Sequence, residues 1–227
     1  IKEYRTVIRN VNPYRAIAPI FALIATALPP TAYASEVIEK SVLKSIVVKG
    51  EPETPVSIQQ RMLDFNVPGV SIAVIKDGSI AWAKGYGLAN ATSGKTVDTE
   101  TLFQAGSISK PVAALAALKL VEEGKLDLDS DVNSYLKNWQ LSGPSLSENA
   151  PVTLRQLLTH TGGLNVHGFP GYATGTELPS TIGVLTGQGN TDAVHVTAVP
   201  GSDWRYSGGG YTVMQLIVEE FTDQSFA

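Results

Sequence analysis

Residues 112–121, an Ala/Leu-rich run broken only by Lys119, constrain the fold of this 227-residue chain more than any other stretch. Ala and Leu are strong helix formers, and the run is apolar nearly all round. A helix without a wet face has to be covered, so the run predicts a buried core helix. Gly124 follows it, at the place where a left-handed residue ends a helix. Ser107-Ile108-Ser109-Lys110 opens it, directly after Leu102 to Gly106, which reads as the end of a strand.

That opening carries chemistry. A serine hydroxyl is a weak nucleophile at neutral pH until a base lies within hydrogen-bond reach. Residues three apart on a helix project from one face, so Lys110 stands where Ser107 needs it. A lysine at the start of a core helix is partly desolvated, and desolvation favours the neutral amine that accepts a proton. The same spacing recurs at Ser41/Lys44 and Ser134/Lys137. Ser41 follows no strand, and Ser134 sits in a polar stretch, 131–135, that reads as a solvated turn or helix start. The competing reading of 107–110 is an N-cap serine followed by a surface lysine.

A net charge of −4, with no Lys/Arg stripe after residue 50, gives no footprint for nucleic acid. The absence of cysteine excludes disulfides and thiolate metal ligands. Lys2, Arg5, Arg9 and Arg15 precede an apolar run from Ala16 to Leu28, and Ala32-Tyr33-Ala34 offers a small-x-small cleavage site. Residues 1–34 therefore read as an export signal, with a mature chain beginning near Ser35 and a periplasmic or secreted destination. The apolar run is shorter than the roughly 20 residues a span requires, and Pro19 interrupts it, so no membrane span is expected after cleavage. Residues 35–55, Pro/Glu-rich from Glu51 to Pro55, read as a linker, and 56–227 as the folded domain.

Ser57 caps a short amphipathic helix carrying Ile58, Met62, Leu63 and Phe65, ended by Pro68. Residues 70–75 and 80–85 are β-rich runs joined through Asp77-Gly78, a hairpin signal. An isolated hairpin is marginal in water, so the sheet is expected to hold further strands. Thr153-Leu154-Arg155-Gln156 has capping-box spacing and opens a short helix expected to stop at Gly162-Gly163. Residues 180–188 suggest another short helix. Val213, Met214, Ile217 and Phe221 recur at helical spacing, which predicts an amphipathic core helix over 211–221. A strand pair followed mostly by helices indicates an α+β fold, an antiparallel sheet flanked by helices plus a helical lobe.

No Gly-x-Ser-x-Gly elbow, His-Glu-x-x-His pair or phosphate-binding glycine loop occurs. His160, His167 and His195 form no evident metal trio or serine triad, and a histidine in a Gly-rich loop reads more readily as a structural hydrogen-bonding group. No cofactor or metal is expected. Tyr206 sits in the Gly-rich segment 204–211 just before a helix, a placement that presents a side chain to a cleft. A nearby ammonium favours a phenolate, so a tyrosine beside Lys110 could relay the Ser107 proton. The alternative is that Tyr206 packs and the glycines merely turn.

Four separated segments resemble the serine β-lactamase and penicillin-binding superfamily, in its class C-like branch with DD-peptidases and esterases. Residues 103–110 look like its nucleophile segment and 121–128 like the continuation. Residues 153–164 resemble a signature loop of that branch, and Tyr206-Ser207-Gly208 stands in the place of its Tyr-x-Asn element, with Gly208 where many relatives carry Asn. The resemblance covers about residues 55–225. It implies a β-lactamase/transpeptidase-like fold in which Ser107 attacks a carbonyl to form an acyl-enzyme, Lys110 and Tyr206 shuttle protons, and the Ser107 N–H supplies half of an oxyanion hole. The family's third motif, Lys-Thr-Gly or His-x-Gly on a core strand, lies well downstream of the tyrosine, and the 21 residues after Tyr206 hold no match. The expectation is therefore the N-terminal part of such a domain, lacking its last sheet strands. The substrate class is a small-molecule or peptide acyl compound: a β-lactam, a D-Ala-D-Ala-type peptide or an ester. The alternative from a different class is a catalytically inactive module, or incomplete fragment, that binds cell-wall peptides or a partner.

Overall fold

Asp77 and Gly78 both take positive φ, 51° and 74°, and close a two-residue hairpin between strand β1 (Gly69–Lys76) and strand β2 (Ser79–Asn90). Two consecutive left-handed residues match the right-handed twist of the flanking strands, which is why Asp-Gly is favoured there. Lys76 pairs with Ser79 and the antiparallel register runs back to Gly69 and Gly87, with one irregularity between Val74 and Ile75. Along β1, Val70, Ile72 and Val74 are half-buried while Ser71 and Ala73 are exposed, the two-residue alternation of a one-sided sheet. A third strand, β3 (Lys95–Thr96), adds to β2 and gives the order β1-β2-β3. At two residues β3 is too short to show alternation, so the sequence carries no signal for it.

The computed structural model describes residues 36–43, 46, 48–50, 52 and 54–226. The expected export signal, 1–34, lies outside them, as does Lys44 of the Ser41/Lys44 pair. The chain divides into two compact units, residues 1–103 and 104–227. The first holds the sheet and helix α1 (Ile58–Asp64), whose Ser57 cap accepts a hydrogen bond from the Gln60 N–H at 3.1 Å. Within the segment expected as a linker, residues 36–40 are helical and Val42 pairs with Val56.

The second unit is helical. Helix α2 (Ser109–Glu122) ends in a Schellman motif: Gly124, at φ 69°, donates to the Val121 carbonyl and Lys125 to the Leu120 carbonyl, both at 2.9 Å. Helix α3 (Leu154–Leu158) carries the expected capping box, with both reciprocal bonds made. Helix α4 (Thr181–Leu185) is capped by Ser180, and helix α5 (Gly208–Thr222) by Ser207. Together they close over Leu154, Leu157, Leu164, Val196, Val213 and Ile217, all buried. Ile217 has no exposed surface, so Ile217→Ala is expected to cost about 2–5 kcal/mol in urea unfolding.

Three expectations are corrected. Helix α2 is not covered all round: Ala117 and Leu120 join the core, while Val112 and Leu115 are 69 % and 65 % exposed. Its composition offers no distinct buried stripe, and within its unit it is packed on one side, against α5. Leu102 to Ala105 form no strand; the chain there is irregular and enters α2 through a 3-10 turn, Gly106–Ile108. Helix α3 ends at Leu158, four residues before Gly162, because His160 takes the left-handed position that terminates it. Among the described residues no helix is long and apolar enough to cross a membrane.

Candidate active site

The 3-10 turn at the head of α2 places Ser107 one turn before Lys110, and the lysine Nζ donates to Ser107 Oγ at 3.0 Å. From the opposite side, the segment leading into α5 brings Tyr206, whose hydroxyl donates to the same oxygen at 2.8 Å. Ninety-nine residues separate the two halves of this contact, so it is a product of the fold rather than of local sequence. The other Ser-x-x-Lys spacing within the described residues is not a pair: Ser134 Oγ donates to the Asp131 carbonyl and Lys137 Nζ to the Glu220 carbonyl.

Lys110 serves two purposes in this geometry. Its Nζ lies 5.0 Å from the Tyr206 ring centroid and 5.5 Å from that of Tyr211, so the ammonium is held by two aromatic faces as well as by Ser107. The ammonium and, second, the Ser107 hydroxyl lower the pKa of the Tyr206 phenol below the ordinary tyrosine value. Tyr211 shifts the other way, raised by burial and then by Tyr206. Two neighbouring phenols thus differ in proton affinity, and the one on Ser107 is the more acidic.

Ser107, Lys110 and Tyr206 line a cleft of about 400 Å³ that also takes in His167, Phe169 and Gly208. The loop carrying His167 and Phe169 is tied to the first turn of α5: the Gly208 N–H donates to the His167 carbonyl and the Gly209 N–H to the Val166 carbonyl, both at 3.0 Å. Val166 has φ 54°, a strained conformation for a β-branched residue, and these bonds hold it there. Ser207 Oγ accepts from Gly210 N–H at 3.0 Å and donates to the Asn165 carbonyl at 2.7 Å, fastening the same loop from behind.

Gly208 to Gly210 form the first helical turn instead of the turn expected from the sequence. Close approach explains the composition. A Cβ at residue 208 would stand 3.1 Å from the His167 carbonyl oxygen and 3.2 Å from the Phe169 ring, and one at residue 209 would stand 3.0 Å from Val194. An asparagine at 208 therefore requires the His167–Phe169 loop to give by a few tenths of an ångström. Gly208→Asn is expected to lower the melting temperature by several degrees and to reduce turnover, read by thermal melting and steady-state kinetics.

His160 and His167 complete the surroundings of Tyr206. The His160 ring stacks on the phenol with centroids 4.2 Å apart and planes tilted by 32°, and the His167 ring lies 4.9 Å away. In the sequence both histidines read as structural groups, and Phe169 carries no signal. The one available signal was position, since His160 follows the capping-box helix by the interval at which a short helix ends. His195 is turned elsewhere, bonded to Asn165 and the Ala193 carbonyl.

In sequence and fold the chain is similar to several known proteins. Protein flp of Staphylococcus aureus (strain N315) is 28 % identical over 173 residues, 74 % of this chain and 33 % of its own length. Esterase EstB of Burkholderia gladioli is 28 % identical over 218 residues, 90 % of this chain and 51 % of its own. The structure of an octameric penicillin-binding protein homologue from Pyrococcus abyssi superposes with a TM-score of 0.59 at 32 % identity, covering 74 % of this chain and 38 % of that one. The fold is thus that of the β-lactamase/transpeptidase proteins, and the chain spans a third to a half of the length of these relatives. Residues 57–227 match the family model described as Beta-lactamase, and on that match the chain belongs to the β-lactamase family, within the serine β-lactamase and penicillin-binding superfamily.

Proposed function

We propose that the protein is an exported serine hydrolase that works through an acyl-enzyme on Ser107. The observation that carries this reading is the convergence of Tyr206 and Lys110 on one serine oxygen, at 2.8 and 3.0 Å. In the reaction the serine proton passes to Tyr206 in its phenolate form, whose lowered pKa keeps that form within reach, and Ser107 Oγ bonds to the substrate carbonyl carbon. The Lys110 ammonium stabilises the phenolate beforehand. The proton then goes to the leaving group, and water attacks the acyl-enzyme to regenerate Ser107. The Ser107 backbone N–H is one donor to the oxyanion, and each such donor contributes about 3–4 kcal/mol.

Esters, D-Ala-D-Ala-type peptides and β-lactams are the candidate substrates. Similarity to an esterase and to a penicillin-binding protein homologue supports both directions. Glycine at 208, with no side-chain amide to meet a peptide or lactam, favours esters. With the full-length protein, p-nitrophenyl butyrate is expected to turn over faster than a chromogenic β-lactam. No release of p-nitrophenol, β-lactam product or D-alanine would overturn the reading. Export is supported by the basic and apolar pattern of residues 1–34. N-terminal sequencing of the protein recovered outside the cytoplasm is expected to begin near Ser35. An intact leader on protein retained in the cytoplasm would contradict export.

A further inference from the structure

His160 occupies a backbone position that most helices give to glycine. Its N–H donates to the Leu157 carbonyl at 3.3 Å and the Thr161 N–H to the Gln156 carbonyl at 2.9 Å, so His160 is the left-handed residue of a Schellman motif, at φ 61°. From there it grips the chain on both sides of Tyr206. Its carbonyl accepts from the Arg205 N–H at 2.8 Å, its Nδ1 accepts from the Ser207 N–H at 3.2 Å, and its ring stacks on the phenol between them. Trp204 packs edge-on against the same ring, 6.1 Å between centroids.

We propose that His160, as a neutral imidazole, is the positioning residue that holds Tyr206 against Ser107 and Lys110, a role that rests on the acyl-enzyme reading above. An Nδ1 that accepts a backbone N–H carries no proton, so the ring proton is on Nε2. Protonation would set an Nδ1–H against the Ser207 N–H and release one side of the grip. The titratable groups that face the ring are Lys110, His167, Tyr206 and Tyr211; Arg205 meets it only through backbone. Burial, then the Lys110 charge, hold its pKa below the ordinary histidine value of 6.5. The sign follows: the unfolded chain takes up the proton first, so stability declines as pH falls below about 6.5 and levels off below the native value. The Ser207 side of the grip on Tyr206 is lost as pH falls through that native value.

Two measurements on the full-length protein test this. The first is the pH profile of kcat/KM for p-nitrophenyl butyrate between about pH 4.5 and pH 8, in wild type, His160→Asn and His167→Asn. Asn tolerates the left-handed position, its amide oxygen can accept the Ser207 N–H, and it does not titrate. The expected result is an acid inflection below 6.5 in wild type, absent in H160N and present in H167N. The second is the ultraviolet titration of the Tyr206 phenol, with Tyr206→Phe as reference. His160→Ala is expected to move that ionisation up toward the ordinary tyrosine value and to lower kcat about 100-fold with KM little changed. An inflection that persists in H160N, or a Tyr206 titration unmoved in H160A, overturns the proposal. If H160A does not fold, H160N is titrated in its place, and a Tyr206 ionisation more than slightly displaced there contradicts a grip kept through the amide acceptor. Absence of ester turnover sinks the acyl-enzyme reading, while the phenol titration still decides whether His160 holds Tyr206.

Discussion

Ser107→Ala is expected to lower kcat/KM toward an activated ester by about 10⁴-fold or more, leaving only what binding and the remaining donors supply. The size follows from the arrangement. Lys110 and Tyr206 both direct their hydrogen bonds at Ser107 Oγ, so removing that oxygen removes the nucleophile and leaves the two proton carriers with nothing to act on. Ser107 is exposed, lines the cleft and contributes nothing to the core. Thermal melting of S107A should therefore match wild type, which separates lost chemistry from lost fold.

Tyr206→Phe carries the second largest effect, a fall of about 10²–10³-fold in kcat, within the range of general acid–base catalysis. The substitution keeps the ring on which His160 stacks and over which the Lys110 ammonium lies, and deletes only the hydroxyl bonded to Ser107. Its signature is in the pH dependence. Wild-type turnover should climb with pH through an ionisation below the ordinary tyrosine value of 10, since Lys110 and Ser107 lower it. That limb should vanish in Y206F. If the limb survives unchanged, the base is Lys110 acting without the phenol.

What could be read from the sequence was local. Asp77-Gly78 specifies its own turn, Thr153 and Gln156 cap their own helix, and the spacing of Val213, Met214 and Ile217 declares a buried face before any neighbour is known. Ser107 and Lys110 belong to this class because one helical turn joins them. Tyr206 became legible only through its setting before a helix and through family resemblance, as its partner lies 99 residues away. The features that escaped depend on what arrives from elsewhere in the chain. His160 is a histidine in a loop until Arg205 and Ser207 dock on it. Gly208 and Gly209 look like a turn until the Val166–Phe169 loop and Val194 come within contact of where a Cβ would sit. The exposed side of α2 is not legible in the sequence, because an all-apolar helix announces that it needs partners, not how many its own unit provides.

The central claim is that Ser107 becomes acylated, and intact-mass and peptide mapping of protein quenched during turnover of an activated ester test it most directly. The predicted result is one acyl adduct, on the peptide containing Ser107, released by hydroxylamine and absent from S107A. An adduct that remains on S107A, or maps to any other residue, would contradict the account.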